Sequence, residues 1–165
     1  MSVPDQSSSP TMFDGMRRLI SGVSVITANN RKGDRLAMTA TSVTSVSAEP
    51  PSLLACVNKD ARLGQGMEAT EYFCVNLLAP KHKQISVNCS TPENGISRYE
   101  HGHWKCDEET GIFYLADSQA VFFCSKKAVY TYGTHDIFIG DVMRTQVAEG
   151  EPTVLAYLNG QYVDL

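Results

Sequence analysis
Short apolar runs broken by turn signals constrain this chain more than any other feature. Val23–Ala28 leads into Asn29, Asn30, Gly33 and Asp34, and Leu36–Thr41 returns. Ser52–Asn58, Tyr72–Leu78, Ala120–Thr131, Asp136–Val147 and Thr153–Val163 follow, punctuated by Glu49-Pro50-Pro51, Gly133 and Glu149-Gly150-Glu151-Pro152. Such runs suit strands, and Pro and Gly close them because one lacks an amide donor and the other tolerates positive φ. Helical spacing is rarer. Met12, Phe13, Met16, Leu19 and Ile20 recur at it behind a Thr11/Asp14 cap, with Gly22 as the stop. A short helical piece is expected near Asp60–Ala69 and a second full helix over Pro80–Cys89. Many short strands and two or three helices in 165 residues predict a mainly β fold. A closed or nearly closed antiparallel barrel is the leading architecture, with a β-sandwich as the alternative.

Composition removes several function classes. The net charge is −4 and the densest basic group is Lys81, His82 and Lys83, so no nucleic-acid groove is expected. No apolar stretch approaches the ~18 residues that cross a bilayer, so no membrane association is expected. Residues 1–10 are polar, carry Ser7, Ser8 and Ser9, and lack the features of a secretory signal. They read as a flexible tail on a cytoplasmic protein whose single domain spans 11–165. The five cysteines agree: the closest two, Cys74 and Cys89, are fifteen positions apart, so no CxxC motif exists and reduced structural thiols are expected. His101, His103 and Cys106 form H-x-H-x-x-C without a fourth ligand at zinc spacing, and no metal is expected. Nucleophile-elbow, H-E-x-x-H, P-loop and G-x-G-x-x-G motifs are absent.

The densest polar signal is Thr39, Thr41, Ser42, Thr44, Ser45 and Ser47. Hydroxyls and amides together cradle a phosphate or the polar edge of a ring without burying a full charge. By residue type alone the run reads more readily as an edge strand with a solvated face. Its placement favours a site: Glu49-Pro50-Pro51 ends it, and Asn58-Lys59-Asp60-Ala61-Arg62 follows with two cations suited to one phosphate. His135 stands after Gly133 at the mouth of an apolar run, where it is either structural or placed to meet a substrate.

Five segments in order resemble the flavin reductase-like, FMN-binding split-barrel family, the reductase components of two-component, flavin-diffusible monooxygenases. They are Arg17–Thr27, Met38–Ser47 with Pro50-Pro51, Phe73–Ala79, Gly133–Val142 and Leu158–Tyr162, nearly the whole chain. The resemblance implies a split antiparallel β-barrel of Greek-key type and an NAD(P)H:flavin oxidoreductase. FMN or FAD would be the flavin and NADH or NADPH the co-substrate. It implies a homodimer that supplies reduced flavin to a partner monooxygenase. It also implies roles for residues. Thr39, Ala40, Thr41, Ser42, Thr44, Ser45 and Val46 would lie along the isoalloxazine edge and ribityl chain. Asn58, Lys59 and Arg62 would meet the ribityl and phosphate groups, and Cys74, Val75 and Asn76 would offer mainly backbone contacts. His135 would stand at the reactive face, and Tyr162 would cover the site from its own or the partner subunit. Two departures stand out. Ala61 replaces a Ser common before the Arg, removing one phosphate donor, and Gly133-Thr134-His135 replaces Gly-Asp-His. The loop Asn94–Gly111 matches poorly, and specificity is expected there.

Overall fold
The apolar runs form twelve strands and three short α-helices in the computed structural model, which describes residues 9–91 and 97–165. Most of the expected tail, residues 1–8, and residues 94–96 of the expected specificity loop lie outside the described residues. Helix α1 (Met12–Met16) opens with the expected capping box: Thr11 Oγ1 accepts from the Asp14 amide, and the Asp14 carboxylate accepts from the Thr11 amide at 2.7 Å. It stops short of Gly22. Its apolar positions are all exposed, so no packing holds a second turn against the cost of ordering it.

Strands β1 (Ser21–Gly22), β2 (Ser24–Asn29), β3 (Arg35–Ala40), β4 (Val43–Ala48) and β5 (Pro51–Asn58) follow. Next come α2 (Arg62–Met67), β6 (Tyr72–Leu77), a 3₁₀ turn at Pro80–His82 and α3 (Lys83–Ser90). The chain closes with β7 (Trp104–Cys106), β8 (Phe113–Leu115), β9 (Ala120–Tyr132), β10 (His135–Val147), β11 (Leu155–Leu158) and β12 (Gln161–Asp164). The run Thr153–Val163, expected as one strand, is a hairpin. Asn159 at φ 51° and Gly160 at φ 76° make its two-residue turn, a pairing that matches the twist of the flanking strands.

Seven strands make one antiparallel sheet in the order β3-β2-β6-β9-β10-β5-β4. Its two edge strands, β3 and β4, are joined by only Thr41 and Ser42. Strands lie about 4.8 Å apart, so a flat sheet would hold these edges roughly 29 Å from each other. Three Cα steps reach roughly 11 Å at most. The sheet therefore curls until its edges meet, giving the expected split barrel with its seam at residues 40–43. Inside it, Ile26, Leu53, Ala55, Val57, Phe73, Val75, Cys124 and Phe138 form the core, and Leu63 and Met67 of α2 pack against them.

The barrel's exterior is covered unevenly. Helix α3 lies over β2 and β3, burying Val25, Ala37, Ile85 and Cys89. The β7–β8 hairpin lies over β6 and β9, burying Cys74, Ile112, Val121 and Phe123. Asn76 fastens that hairpin: its amide donates to Val25 O at 2.9 Å and its Oδ1 accepts from the Leu115 amide at 2.8 Å. The outer face of β4, β5, β10 and the far half of β9 has no such cover among the described residues. Two β-bulges shape the β9–β10 pair. Lys126 pairs with Gly140 but Ala128 with Ile139, so Lys127 is an extra residue that inverts which β9 side chains face outward.

Gly140 sits where β10 passes the core. A Cβ there would lie 2.6 Å from Phe73 Cζ and 2.9 Å from Cys124 Cβ. The expected outcome for Gly140→Ala is a loss of about 1–3 kcal/mol, the usual cost of overpacking, read from the urea midpoint. An unchanged midpoint would mean the ring moves aside freely.

Candidate functional site
The seam and the uncovered face divide the sequence-predicted residues into three groups. The first lies under α3. Thr39 faces outward on β3, and its hydroxyl donates to Ser86 O at 2.6 Å. Ser86 Oγ meets Tyr162 Oη at 2.8 Å, so Thr39 and Tyr162 come together through a buried serine of the same chain. Tyr162 also sits edge-on to Tyr157, 5.4 Å between centroids, with the Lys83 ammonium 5.6 Å from its ring. The free edge of β3 is closed nearby, where Tyr99 Oη donates to Leu36 O at 2.9 Å and Arg98 donates to Ala37 O.

The second group lines the uncovered face. Register puts Ser42, Cys56, Ile137 and Tyr130 in one outward row, because the Cys56 amide donates to Ser42 O at 3.1 Å and Cys56 pairs with Ile137 and Ile137 with Tyr130. Thr44, Leu54, Ile139 and Ala128 make the next. Asn58, His135 and Tyr132 make a third at the end of the strands. The alternate residues Ala55, Val57 and Phe138 point inward and are fully buried, which fixes the outward sense of these rows. Leu54, Cys56, Ile137 and Ile139 are only half-buried. Thr41, Thr44 and Ser45 are exposed, and Val46 is the extra residue of a bulge between Ser45 and Ser47. Ala40 differs: its side chain is buried in the barrel interior, leaving only its backbone for a ligand at the seam.

The rim of this face is braced. Gly133, at φ 57°, takes the first central position of the two-residue turn between β9 and β10, which requires positive φ. Thr134 O accepts from the Lys59 amide at 3.0 Å, tying the turn to the exit of β5. Thr134 Oγ1 lies 2.9 Å from His135 Nδ1. With the hydroxyl donating, Nδ1 is the acceptor and Nε2 carries the imidazole proton. Beyond β5, Asn58 Oδ1 accepts from the Asp60 amide at 2.9 Å and Asn58 O from the Ala61 amide at 3.1 Å, a turn that starts α2. Arg62 is the first residue of that helix and lines a groove of about 280 Å³ with Arg31, Lys32 and Gln65. Gly64 lets α2 start so close, because a Cβ there would sit 2.2 Å from Asn58 O.

The third group stays apart. Cys74, Val75 and Asn76 are central in β6, fully buried, and paired through the backbone to β2 on one side and β9 on the other. The side-chain amide of Asn76 serves the β8 junction, and the Cys74 thiol is pushed well above its usual range by burial. The structure does not bring these three to the uncovered face. Sequence reading passed over Cys56, Tyr130, Thr134 and Ile137, whose signal was register with His135 and Asn58, and Ser86, whose signal was nil.

Against known proteins, the flavin reductase like domain matches residues 16–165. The reductase component of an FADH(2)-dependent resorcinol hydroxylase from Rhizobium sp. is 38% identical over 149 residues, covering 89% of this chain and 82% of that protein. An FMN reductase (NADH) from Agrobacterium fabrum is 32% identical over 149 residues, covering 90% of this chain and 84% of that protein. The solved NADH:FAD oxidoreductase of Streptomyces globisporus, in complex with NAD and FAD fragments, superposes with a TM-score of 0.82 at 27% identity, covering 90% of this chain and 87% of that chain.

Ala61 is the N-cap of α2, in extended conformation and without a side-chain hydrogen bond. Serine fits that conformation and accepts from a first-turn amide, so Ala61→Ser is expected to stabilise the fold by about 1 kcal/mol. A urea titration checks it, and no gain would mean that the half-buried position cannot orient the hydroxyl.

Proposed function
The chain belongs to the flavin reductase-like family, and we propose that it works on the uncovered face of its barrel, passing hydride from a nicotinamide dinucleotide to FMN or FAD for use by a partner monooxygenase. It is an NAD(P)H-dependent flavin reductase. One observation carries the assignment of the site: in a barrel sheathed on its other sides, the bare face holds Ser42, Thr44, Asn58 and His135 on adjoining rows.

The donors present fit a flavin. Among the described residues edge strand β4 pairs only with β5, so its other side has amides and carbonyls to offer the polar rim of the ring system. The half-buried Leu54, Cys56, Ile137 and Ile139 give an apolar floor for a flat aromatic group. Lys59 and Arg62 supply the phosphate's counter-charge, with Arg62 carrying more of it because Ala61 has no hydroxyl. Thr39 and Tyr162 border the seam from the α3 side. A bound flavin supplies the hydride-accepting chemistry, and the protein supplies position and electrostatics. His135, with Nδ1 engaged by Thr134, offers the Nε2 proton to negative charge that develops beside it.

The same face supports a homodimer. Its half-buried apolar rows lack a cover among the described residues, and Met12, Phe13, Met16, Leu19 and Ile20 are exposed on the N-terminal segment. A second copy buries both. Sedimentation velocity is expected to report twice the 18.1 kDa chain mass, and a monomer at micromolar concentration would overturn this. The reading places the reductase in the cytoplasm, supported by the free cysteines, of which Cys74, Cys89 and Cys124 are buried with their thiols held protonated.

The central experiment follows NADH and NADPH oxidation with added FMN, FAD or riboflavin. Turnover with at least one pair is expected. His135→Ala should slow flavin reduction on the order of a hundredfold, as losing one preorganised donor does, while flavin affinity changes little. Equal losses in both would remove the role given to His135. Ala61→Ser should tighten FMN but leave riboflavin, which has no phosphate, unchanged.

A further inference from the structure
We propose that Tyr132 is a binding residue for the hydride donor, its ring packing against the nicotinamide half of the dinucleotide beside His135. The inference rests on the function proposed above and adds a residue to it. Three neighbouring strands carry Asn58, His135 and Tyr132 as direct partners, and side chains paired across antiparallel strands share a face. The order along this row is fixed by the sheet, β5 then β10 then β9. Asn58 therefore lies on the side of His135 that continues into the hydroxyl-bearing β4, and Tyr132 on the opposite side. A ring system held over β4 and β5 meets His135 from one side. A second flat molecule reaching the same imidazole from the open end meets Tyr132.

Tyr132 is built for an external partner. It is 84% exposed, more than any other large hydrophobic side chain among the described residues. The backbone that carries it is braced. Thr131 Oγ1 donates to Asp136 Oδ1 at 2.6 Å across the same hairpin end, and Thr134 O accepts from the Lys59 amide at 3.0 Å. The extra residue Lys127 also turns Tyr130 and Tyr132 outward; without it, they would share the opposite side of β9 with Phe122 and Cys124. An exposed aromatic ring on a braced strand end, in the row of the proposed hydride-transfer histidine, is a stacking surface for another flat ring. Tyr130, 60% exposed, pairs with Ile137 one row further from the turn and so belongs to the apolar floor.

The test uses the full chain with saturating FMN and compares Tyr132→Ala and Tyr132→Phe with the unaltered protein. For Tyr132→Ala, KM for NADH should rise on the order of tenfold, the scale of one ring-stacking contact, with kcat and FMN affinity nearly unchanged. Fluorescence titration of NADH against the flavin-free protein should show the same loss, and Tyr132→Phe should restore both. Reduced nicotinamide mononucleotide should show the same ratio as NADH, since the contact is to the shared half. The proposal is overturned if Tyr132→Ala leaves KM and NADH affinity unchanged, or if FMN affinity falls as far as NADH affinity. It is also overturned if the effect disappears with the mononucleotide, or if sedimentation shows the variant falling to a smaller species, which would make Tyr132 a subunit contact. An unaltered protein that oxidises neither NADH nor NADPH with any flavin would instead remove the underlying functional reading.

Discussion
The link Thr41–Ser42 is the constraint on which the rest of the structure depends. It joins the two edges of a seven-stranded sheet across a distance a flat sheet could not close. Curling the sheet buries one face of every strand in a common interior, which is how short strands with modest apolar content reach a full core. It also puts the hydroxyl-rich segment at the meeting of two strand edges. That is the one part of a barrel where backbone groups are not all spent on neighbours. Ser42 shows the balance: its carbonyl and hydroxyl bind Cys56, while Thr41 and Thr44 on either side are exposed. A run of small hydroxyl residues suits this place because each can bind its own backbone or a ligand, and none needs burial.

Unequal cladding distinguishes one face of the barrel from the others. Over β2 and β3 the edge is sealed by Arg98, Tyr99 and α3, and over β6 and β9 the β7–β8 hairpin is fastened by Asn76 and by Arg144, whose guanidinium sits 3.7 Å over the Phe123 ring and pairs with Asp107. Those two sectors use their polar groups internally. Among the described residues no helix or hairpin is fastened over the remaining sector, so its half-buried aliphatics and its exposed His135 remain open on this chain.

Much of the fold was legible because its punctuation is chemical. The Thr11/Asp14 box, the Asn29–Asp34 turn and Glu49-Pro50 all stand at element boundaries in the structure. The hairpin at Asn159-Gly160 was readable in principle, since both residues tolerate positive φ, but the apolar run on either side masked it. Loss of α1's second turn was not readable, because periodicity records which residues could form an apolar stripe and not whether anything packs on it. The candidate site was legible as a set of residues but not as a surface. Ser42, Thr44, Asn58 and His135 were named by residue type and fall on adjoining rows, yet Cys74–Asn76 were named with them and lie inside β6. The resemblance gave residues without the register that separates a central strand from an exposed face.

Register is also where the sequence hides its most consequential detail. An extra residue in a strand leaves composition and hydropathy almost unchanged but reverses every side chain beyond it. Lys127 does this to β9 and Val46 interrupts β4, so both strands that border the uncovered face carry a bulge. In β4 the bulge breaks the straight run of edge groups, which discourages pairing with a strange strand. In β9 it turns Tyr130 and Tyr132 to the outer surface, in register with Ile137 and His135. The bulge therefore decides which β9 side chains line the uncovered face, and that effect is not visible until strands are paired.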